Sequence, residues 1–406
     1  MIATRRRRRY RLHPRTWRLI AVWSVLFAVG FGYVAGLAGW QALSESWIGF
    51  WDLVPGRIVE LAIAAWFFFI GSSIGSFLNV VAWRMPRHQG INGRSHCPRC
   101  DHALGWRENW PVFGWLVLGG RCRSCRLPIS ARYPIVEALV GLTIWLIATR
   151  TFYCDTTQLP FRPPIPGQPS PLWGPYVSGE SLVVISYHAA ALSTLWAMAL
   201  IRFDSTRLPR VLVKWCLAIV AIPMLLVPYL AFVPWTVSAA ASWTAGGDYL
   251  NAVMRVLTGA AAGVTLARVL GRYLCPAADP KFHPLGEPTA RLIDLSAILT
   301  VVAILVGWQA AIAVTVIAVL LAIVTPSWLT GRTDPLARVA IALPFAVTLQ
   351  LGWWAVLDAA AWWPGVNTAP VVTLAWIASL LILPQGLVSE SRGRAIRLEP
   401  DRAESD

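Results

Sequence analysis

The feature that most constrains this chain is a series of ten apolar runs spread along its 406 residues. A helix that crosses a bilayer needs about 20 mainly apolar residues. Only 14% of the residues are charged, against about 25% in soluble domains. The sequence therefore predicts an all-α polytopic membrane protein with about ten transmembrane helices. The runs are 19–40, 58–83, 135–148, 182–201, 211–235, 256–274, 292–306, 310–324, 339–357 and 371–383. Between the seventh and eighth runs stands Gly307, where we expect a tight helical hairpin; one overlong helix is the alternative.

The basic residues predict the orientation of these helices, since cytoplasmic loops carry an excess of Lys and Arg. With ten spans and both termini inside, the inner segments hold 31 of the 35 basic residues. The net charge of +15 thus follows from membrane topology, and we expect the lipid bilayer, and no nucleic acid, as a partner. Arg5–Arg9 followed by an apolar run is also typical of a secretory signal, but run 19–40 is longer than a signal core. We therefore expect an uncleaved first helix.

The most specific local pattern is a pair of CxxC motifs in the polar segment 84–134. Cys97 and Cys100 form the first pair, Cys122 and Cys125 the second, with 21 residues between the pairs. Two such pairs can place four thiolates around one Zn²⁺. In a reducing cytoplasm, paired cysteines are more often metal ligands than disulfides; unligated thiols or a redox pair are the alternatives. A site closed by four thiolates is structural and not catalytic. We therefore predict a small cytoplasmic zinc-ribbon-like loop.

Other polar residues near this loop are weaker candidates. His96 and His102 flank the first cysteine pair, and we expect neither to bind the metal, because four cysteines suffice. Asn79 and Glu137 are expected at the membrane edge, where either could bind a backbone or a substrate, or cap a helix. The single cysteines are expected to be apolar fillers; they are Cys154, Cys216 and Cys275.

A run of motifs around the cysteines resembles the N-terminal domain of type IV prepilin peptidases. The motifs are GSSIGSFLN at 71–79, CPRC at 97–100, WRENWP at 106–111, GGRCRSC at 119–125 and RYPIVE at 132–137. Gly71 and Gly75 also form a small-residue face that permits close helix packing. The resemblance covers about 70 residues, and helix 19–40 has no counterpart in the usual family layout.

This resemblance leads us to divide the chain into six segments. They are a basic cytoplasmic tail (1–18), an extra transmembrane helix with an outer loop (19–57), a prepilin-peptidase N-terminal domain (58–148, zinc loop 84–134), a proline-rich outer loop (149–180), a peptidase-like membrane body (181–388) and a disordered tail (389–406). The expected location is the bacterial inner membrane, with multiple spans and both termini cytoplasmic.

The family's two catalytic aspartates have only approximate counterparts here. The first is expected seven residues before Pro209, where Arg202 stands; Asp204 is two residues late, about 200° around a helix. The Gly-x-Gly-Asp motif of the second is absent from the sequence, and Asp294 lies one residue from the expected place. Peptide hydrolysis needs two carboxylates near one water, so Asp204 and Asp294 are the candidate catalytic pair. Their alternative role is that of interfacial acids that pair with Arg202, Arg207 or Arg291.

Two functions remain open from the sequence. The resemblance implies a peptidase that cleaves the basic leader from type IV prepilins or pseudopilins. Many members also methylate the new N-terminus with S-adenosylmethionine, although the chain has no glycine-rich fingerprint for that cofactor. The alternative is a catalytically inactive relative that binds pilin-like signal helices or assembly partners.

Overall fold

The structure, a computed structural model, is a bundle of α-helices. It describes residues 14–44, 48–93, 95–97, 99–105, 108–153, 177–231, 245–275, 287–325, 334–365 and 368–387. The predicted proline-rich loop lies largely outside these residues, as do Cys154, the first 13 residues and the C-terminal tail.

Twelve α-helices are found in the described part of the chain. They are α1 (Pro14–Ser44), α2 (Phe50–Arg84), α3 (Phe113–Leu118), α4 (Arg132–Tyr153), α5 (Gly179–Phe203), α6 (Arg210–Leu226), α7 (Ala245–Leu274), α8 (Glu287–Val306), α9 (Trp308–Val324), α10 (Pro335–Gly352), α11 (Trp354–Asp358) and α12 (Pro370–Ile382). Two short 3-10 helices, Met85–Arg87 and Pro228–Leu230, and two isolated β-bridges accompany them in these residues. The prediction of an all-α protein is confirmed.

Each of the ten apolar runs overlaps one of these helices, except that run 339–357 overlaps both α10 and α11. Eight of the helices are long and apolar enough to cross a membrane. The other two, α6 and α9, have 17 residues each, somewhat short of a full span. Gly307 separates α8 from α9 with a φ of 88°, a conformation that favours glycine. The predicted break is therefore present, and one overlong helix is excluded.

Glycines lie at two close helix crossings. A Cβ at Gly75 would lie 2.8 Å from the Glu137 Cα, which brings α2 against α4. A Cβ at Gly263 would lie 2.4 Å from the Thr300 Cα, which brings α7 against α8. Small residues allow such approach between helices in lipid. The predicted packing face on α2 is confirmed, and α7 carries a second one.

The centre of the bundle is formed by α5, α8 and α10, in which most residues of the apolar stretch are buried. Trp196 of α5 is fully buried and stacks edge-on against Phe345 of α10. Helix α1 is peripheral, and its apolar side chains are mostly exposed, as expected for residues that face lipid. It is attached where Arg57 donates to Gln41 at 2.6 Å and where Trp23 contacts Trp110.

We call the end of the bundle next to the cysteine loop, where α2 ends and α4 begins, the loop-side end. The ion pair between Asp204 and Arg132 of α4 places the end of α5 at this end of the bundle. The contact between Trp23 and Trp110 of the loop places the first part of α1 there as well. The end of α12 also lies beside the end of α7, where the Tyr273 hydroxyl donates to the Leu381 carbonyl at 2.9 Å.

Candidate functional site: a cysteine cluster above paired charges

The four cysteines of the loop form one cluster. Their sulfurs all lie within 4.8 Å of one another. The Cys97 and Cys125 sulfurs are 3.9 Å apart, and so are those of Cys100 and Cys122. Zn–S bonds of about 2.3 Å in a tetrahedron require S···S distances of about 3.8 Å. The thiols therefore fit a tetrahedral zinc ion, and neither His96 nor His102 belongs to the cluster.

Each cysteine pair lies on the same kind of turn. The Cys97 N–H donates to the His102 carbonyl at 3.0 Å, and the Asp101 N–H returns a bond to the Cys97 carbonyl at 2.9 Å. The second pair repeats this arrangement, with Cys122, Leu127 and Arg126 in the corresponding places. Asp101 and Arg126 both have positive φ, 52° and 62°, which lets each turn close tightly behind its cysteines.

Backbone groups in these turns favour the thiolate form that a metal requires. The N–H of Arg99 donates to the Cys97 sulfur and lowers the pKa of that thiol to about 7. The N–H of Cys125 likewise lowers the pKa of Cys122. Hydrogen bonds to the charged form stabilise it relative to the thiol. Cys125 differs: the hydrogen bond from the Leu127 N–H lowers its pKa, but burial and the three neighbouring sulfurs outweigh it and raise the pKa to about 11. The backbone thus favours the thiolate form at the first cysteine of each pair.

Glu137 and Asn79 hold the loop against the helices. The Glu137 carboxylate, buried at the start of α4, accepts the Val112 N–H at 2.7 Å. Val112 has a φ of 60°, which is a genuine outlier for a β-branched residue. Asn79 donates to the Tyr133 carbonyl at 3.4 Å. Of the roles left open for these two residues, the structure therefore shows backbone binding.

The two candidate aspartates lie at the loop-side end, each next to an arginine. Both oxygens of Asp204 are held by the guanidinium of Arg132, with Nη2 to Oδ2 at 2.8 Å. Asp294 accepts from Arg202 at 3.1 Å and is buried with it. Among the described residues, no hydrogen bond joins Asp204 to Asp294. Asp294 thus has the alternative role, since it pairs with Arg202 as expected. Asp204 is also ion-paired, but with Arg132, which was not among the expected partners.

Sequence analysis did not identify two members of this region. Arg132 was predicted only as part of a motif, whereas Arg202 was among the arginines expected to pair with the aspartates. Asp334 was not noticed at all, although an acid directly before Pro335 is a typical helix start. Asp334 caps α10, since its Oδ1 accepts the Leu336 N–H at 3.1 Å.

Comparisons with known proteins identify the cysteine loop and its flanking helices. Residues 69–151 match the family model described as the Bacterial Peptidase A24 N-terminal domain. A prepilin leader peptidase/N-methyltransferase of Myxococcus xanthus is 51% identical over 98 residues, which cover 24% of this chain and 29% of that protein. The type 4 prepilin-like proteins leader peptide-processing enzyme of Escherichia coli O78:H11 is 44% identical over 95 residues, 19% of this chain and 35% of that protein.

A longer match reaches beyond this domain. The prepilin leader peptidase/N-methyltransferase of Burkholderia pseudomallei is 31% identical over 186 residues, 33% of this chain and 60% of that protein. The chain thus spans about a third to three fifths of the length of these curated relatives. No solved structure matches it. Over residues 69–151, the chain is therefore similar to the N-terminal domain of bacterial A24 peptidases.

Proposed function

We propose that this chain is a membrane leader peptidase that cleaves the basic leader from type IV prepilins or pseudopilins. The observation that carries the proposal is the peptidase N-terminal domain at 69–151, shared with relatives named for this activity. The loop-side end then faces the cytoplasm of a bacterial inner membrane, where a basic leader segment is found. Both described ends of the chain lie on that side, which supports cytoplasmic termini.

Asp204 and Asp294 are our proposed catalytic pair. One carboxylate takes a proton from water as the oxygen attacks the scissile carbonyl, and the other donates a proton to the carbonyl oxygen. The proton is then passed to the leaving amine as the C–N bond breaks. Each carboxylate is ion-paired in the structure, so this chemistry requires Arg132 and Arg202 to release them when substrate binds.

The cysteine cluster has a structural role in this proposal. Cys97, Cys100, Cys122 and Cys125 would hold one zinc ion, which supplies folding energy to a loop with too small an apolar core. A four-thiolate site has no open coordination position for substrate. The loop's own residues then position Arg132, which begins α4 seven residues after Cys125.

N-methylation is a separate matter. The names of the relatives include N-methyltransferase, which would require S-adenosylmethionine. A groove between α5 and α6 is lined by apolar residues such as Leu182, Pro223 and Leu230, with no charged group. This groove does not fit a charged nucleoside, so we assign no residue to that cofactor.

A second function is favoured by the ion pairs themselves. A guanidinium stays protonated at working pH and cannot act as a base. Arg202 stands where the family resemblance expects an acid and is paired with Asp294. In a protein that binds leader segments of prepilins without cleaving them, Arg202 and Asp294 would stay paired both with and without a bound leader.

Cleavage of a prepilin leader peptide in isolated membranes tests the proposal. Wild type is compared with Asp204→Asn and Asp294→Asn, and with Asp52→Asn as a control, because Asp52 is an exposed acid at the other end of α2. We expect cleavage by wild type and the control, and its loss in both test variants. Peptide that binds to wild-type membranes but stays intact would support the non-cleaving function. Cleavage that survives both substitutions would show that the catalytic pair is wrong.

A further inference from the structure

Four charged side chains from three helices meet in a buried centre at the loop-side end. Arg202 ends α5, Arg291 and Asp294 lie near the start of α8, and Asp334 caps α10. The Arg202 side chain is only 2% exposed. Its Nη1 donates to Asp294 Oδ2 at 3.1 Å, and its Nη2 lies 3.8 Å from Asp334 Oδ2. One guanidinium thus lies between two carboxylates.

The centre is closed by a second arginine and by backbone. Arg291 pairs with Asp334 and also donates to the Leu274 carbonyl at 3.1 Å. Two arginines and two aspartates make the group neutral as a whole. Neutrality matters because a buried charge without a partner is strongly destabilising, whereas a matched set is tolerated.

The chain after α5 folds around this centre. Arg202 Nη1 also donates to the Thr206 carbonyl at 2.8 Å, and the Leu208 N–H donates to Asp294 at 3.3 Å. The turn that leads from α5 to α6 therefore depends on the same two side chains that join α5 to α8.

We propose that Arg202 is a positioning residue that holds Asp294 and Asp334 in one closed ionic centre, which fastens the loop-side ends of α5, α8 and α10 together. The centre excludes water from Asp294 until Arg202 moves. This property belongs to the folded chain and holds whether or not the chain cleaves a leader. If cleavage takes place, opening of the centre must precede it.

A native cysteine can report on the closed state. Cys275 follows α7, is buried, and has its thiol next to the Arg291 side chain. Cys216, in the middle of α6, is also buried, and its sulfur is directed to the Thr194 carbonyl of α5. Cys275 should become accessible when the centre opens, whereas Cys216 should not.

The experiment is pulse labelling of membranes with N-ethylmaleimide, read at each cysteine by peptide mass spectrometry. We expect Cys275 to be labelled about tenfold faster in Arg202→Gln than in wild type, because the change leaves buried Asp294 and partly buried Asp334 short of a cation. Arg202→Lys should be intermediate, and Arg202→Gln combined with Asp294→Asn should return towards wild type. Arg210→Gln, at an exposed arginine that begins α6, is the control and should not differ from wild type.

Two results would overturn the proposal. One is wild-type labelling of Cys275 in Arg202→Gln; the other is equal labelling in the single and the double variant. If Arg202→Gln does not accumulate in membranes, its amount there is compared with that of the double variant. A higher amount of the double variant supports the ionic centre, and an equally low amount refutes it. None of these readouts depends on leader cleavage, so failure of the proposed function would not affect them.

Discussion

Replacement of Gly263 by alanine should loosen the crossing of α7 and α8, the helix that carries Asp294. The added Cβ would lie 2.4 Å from the Thr300 Cα and 2.5 Å from the Thr300 nitrogen. Carbon atoms pack at about 3.5–4.0 Å, so the helices must separate by roughly 1 Å. All the neighbours are backbone atoms, and no side chain can rotate away to make room.

The magnitude follows from two opposing effects. Insertion of a methyl group into a well-packed contact costs about 1–3 kcal/mol. The same change inside a helix gains up to about 0.8–1.0 kcal/mol from the higher helix propensity of alanine. The cost here lies towards the upper end of that range, because the clash is with backbone atoms. We therefore expect a net loss of about 1–2 kcal/mol in the free energy of unfolding.

The assay is equilibrium unfolding of purified protein by SDS titration in mixed micelles, followed by tryptophan fluorescence. Gly36→Ala is the matched control, because Gly36 lies in α1 and its Cβ would meet no atom within 4 Å. The control should be neutral or slightly stabilising. Equal stability of Gly263→Ala and Gly36→Ala would refute the argument that glycine sets the distance between α7 and α8.

Three further predictions concern the loop and the topology. Purified protein should contain about one equivalent of zinc, and Cys97→Ser should lower both zinc content and folded protein. Acidification should release the metal, because protons compete with it for the thiolates. Metal-free folded wild type under reducing conditions would contradict the site. A reporter fused after Gly93 should act as cytoplasmic and one fused after Pro169 as periplasmic, and the reverse result would overturn the orientation. Glu137→Ala should destabilise the loop by about 1–3 kcal/mol, because a buried N–H loses its acceptor; unchanged protease resistance of the loop would argue against this anchor.

The sequence by itself determined the helices and the cysteine turns. In lipid, every backbone polar group must be satisfied within the segment, so a long apolar run has little choice but to be helical. All ten runs overlap a helix for this reason. The CxxC turns are similarly local, since each is closed by hydrogen bonds within about six residues of its first cysteine. The break between α8 and α9 is local as well, since it results from the positive φ of Gly307.

Only the tertiary structure decided which charges pair. Arg132 and Asp204 are 72 positions apart in the chain, and Arg202 and Asp294 are 92 apart. Spacing along one helix tells which face a side chain occupies, but not which other helix that face meets. That choice depends on close crossings such as the one at Gly263, which bring α7 and α8 into contact. Asp334 became part of the charged centre only because α10 packs against α5, and no local pattern in the sequence contains that information.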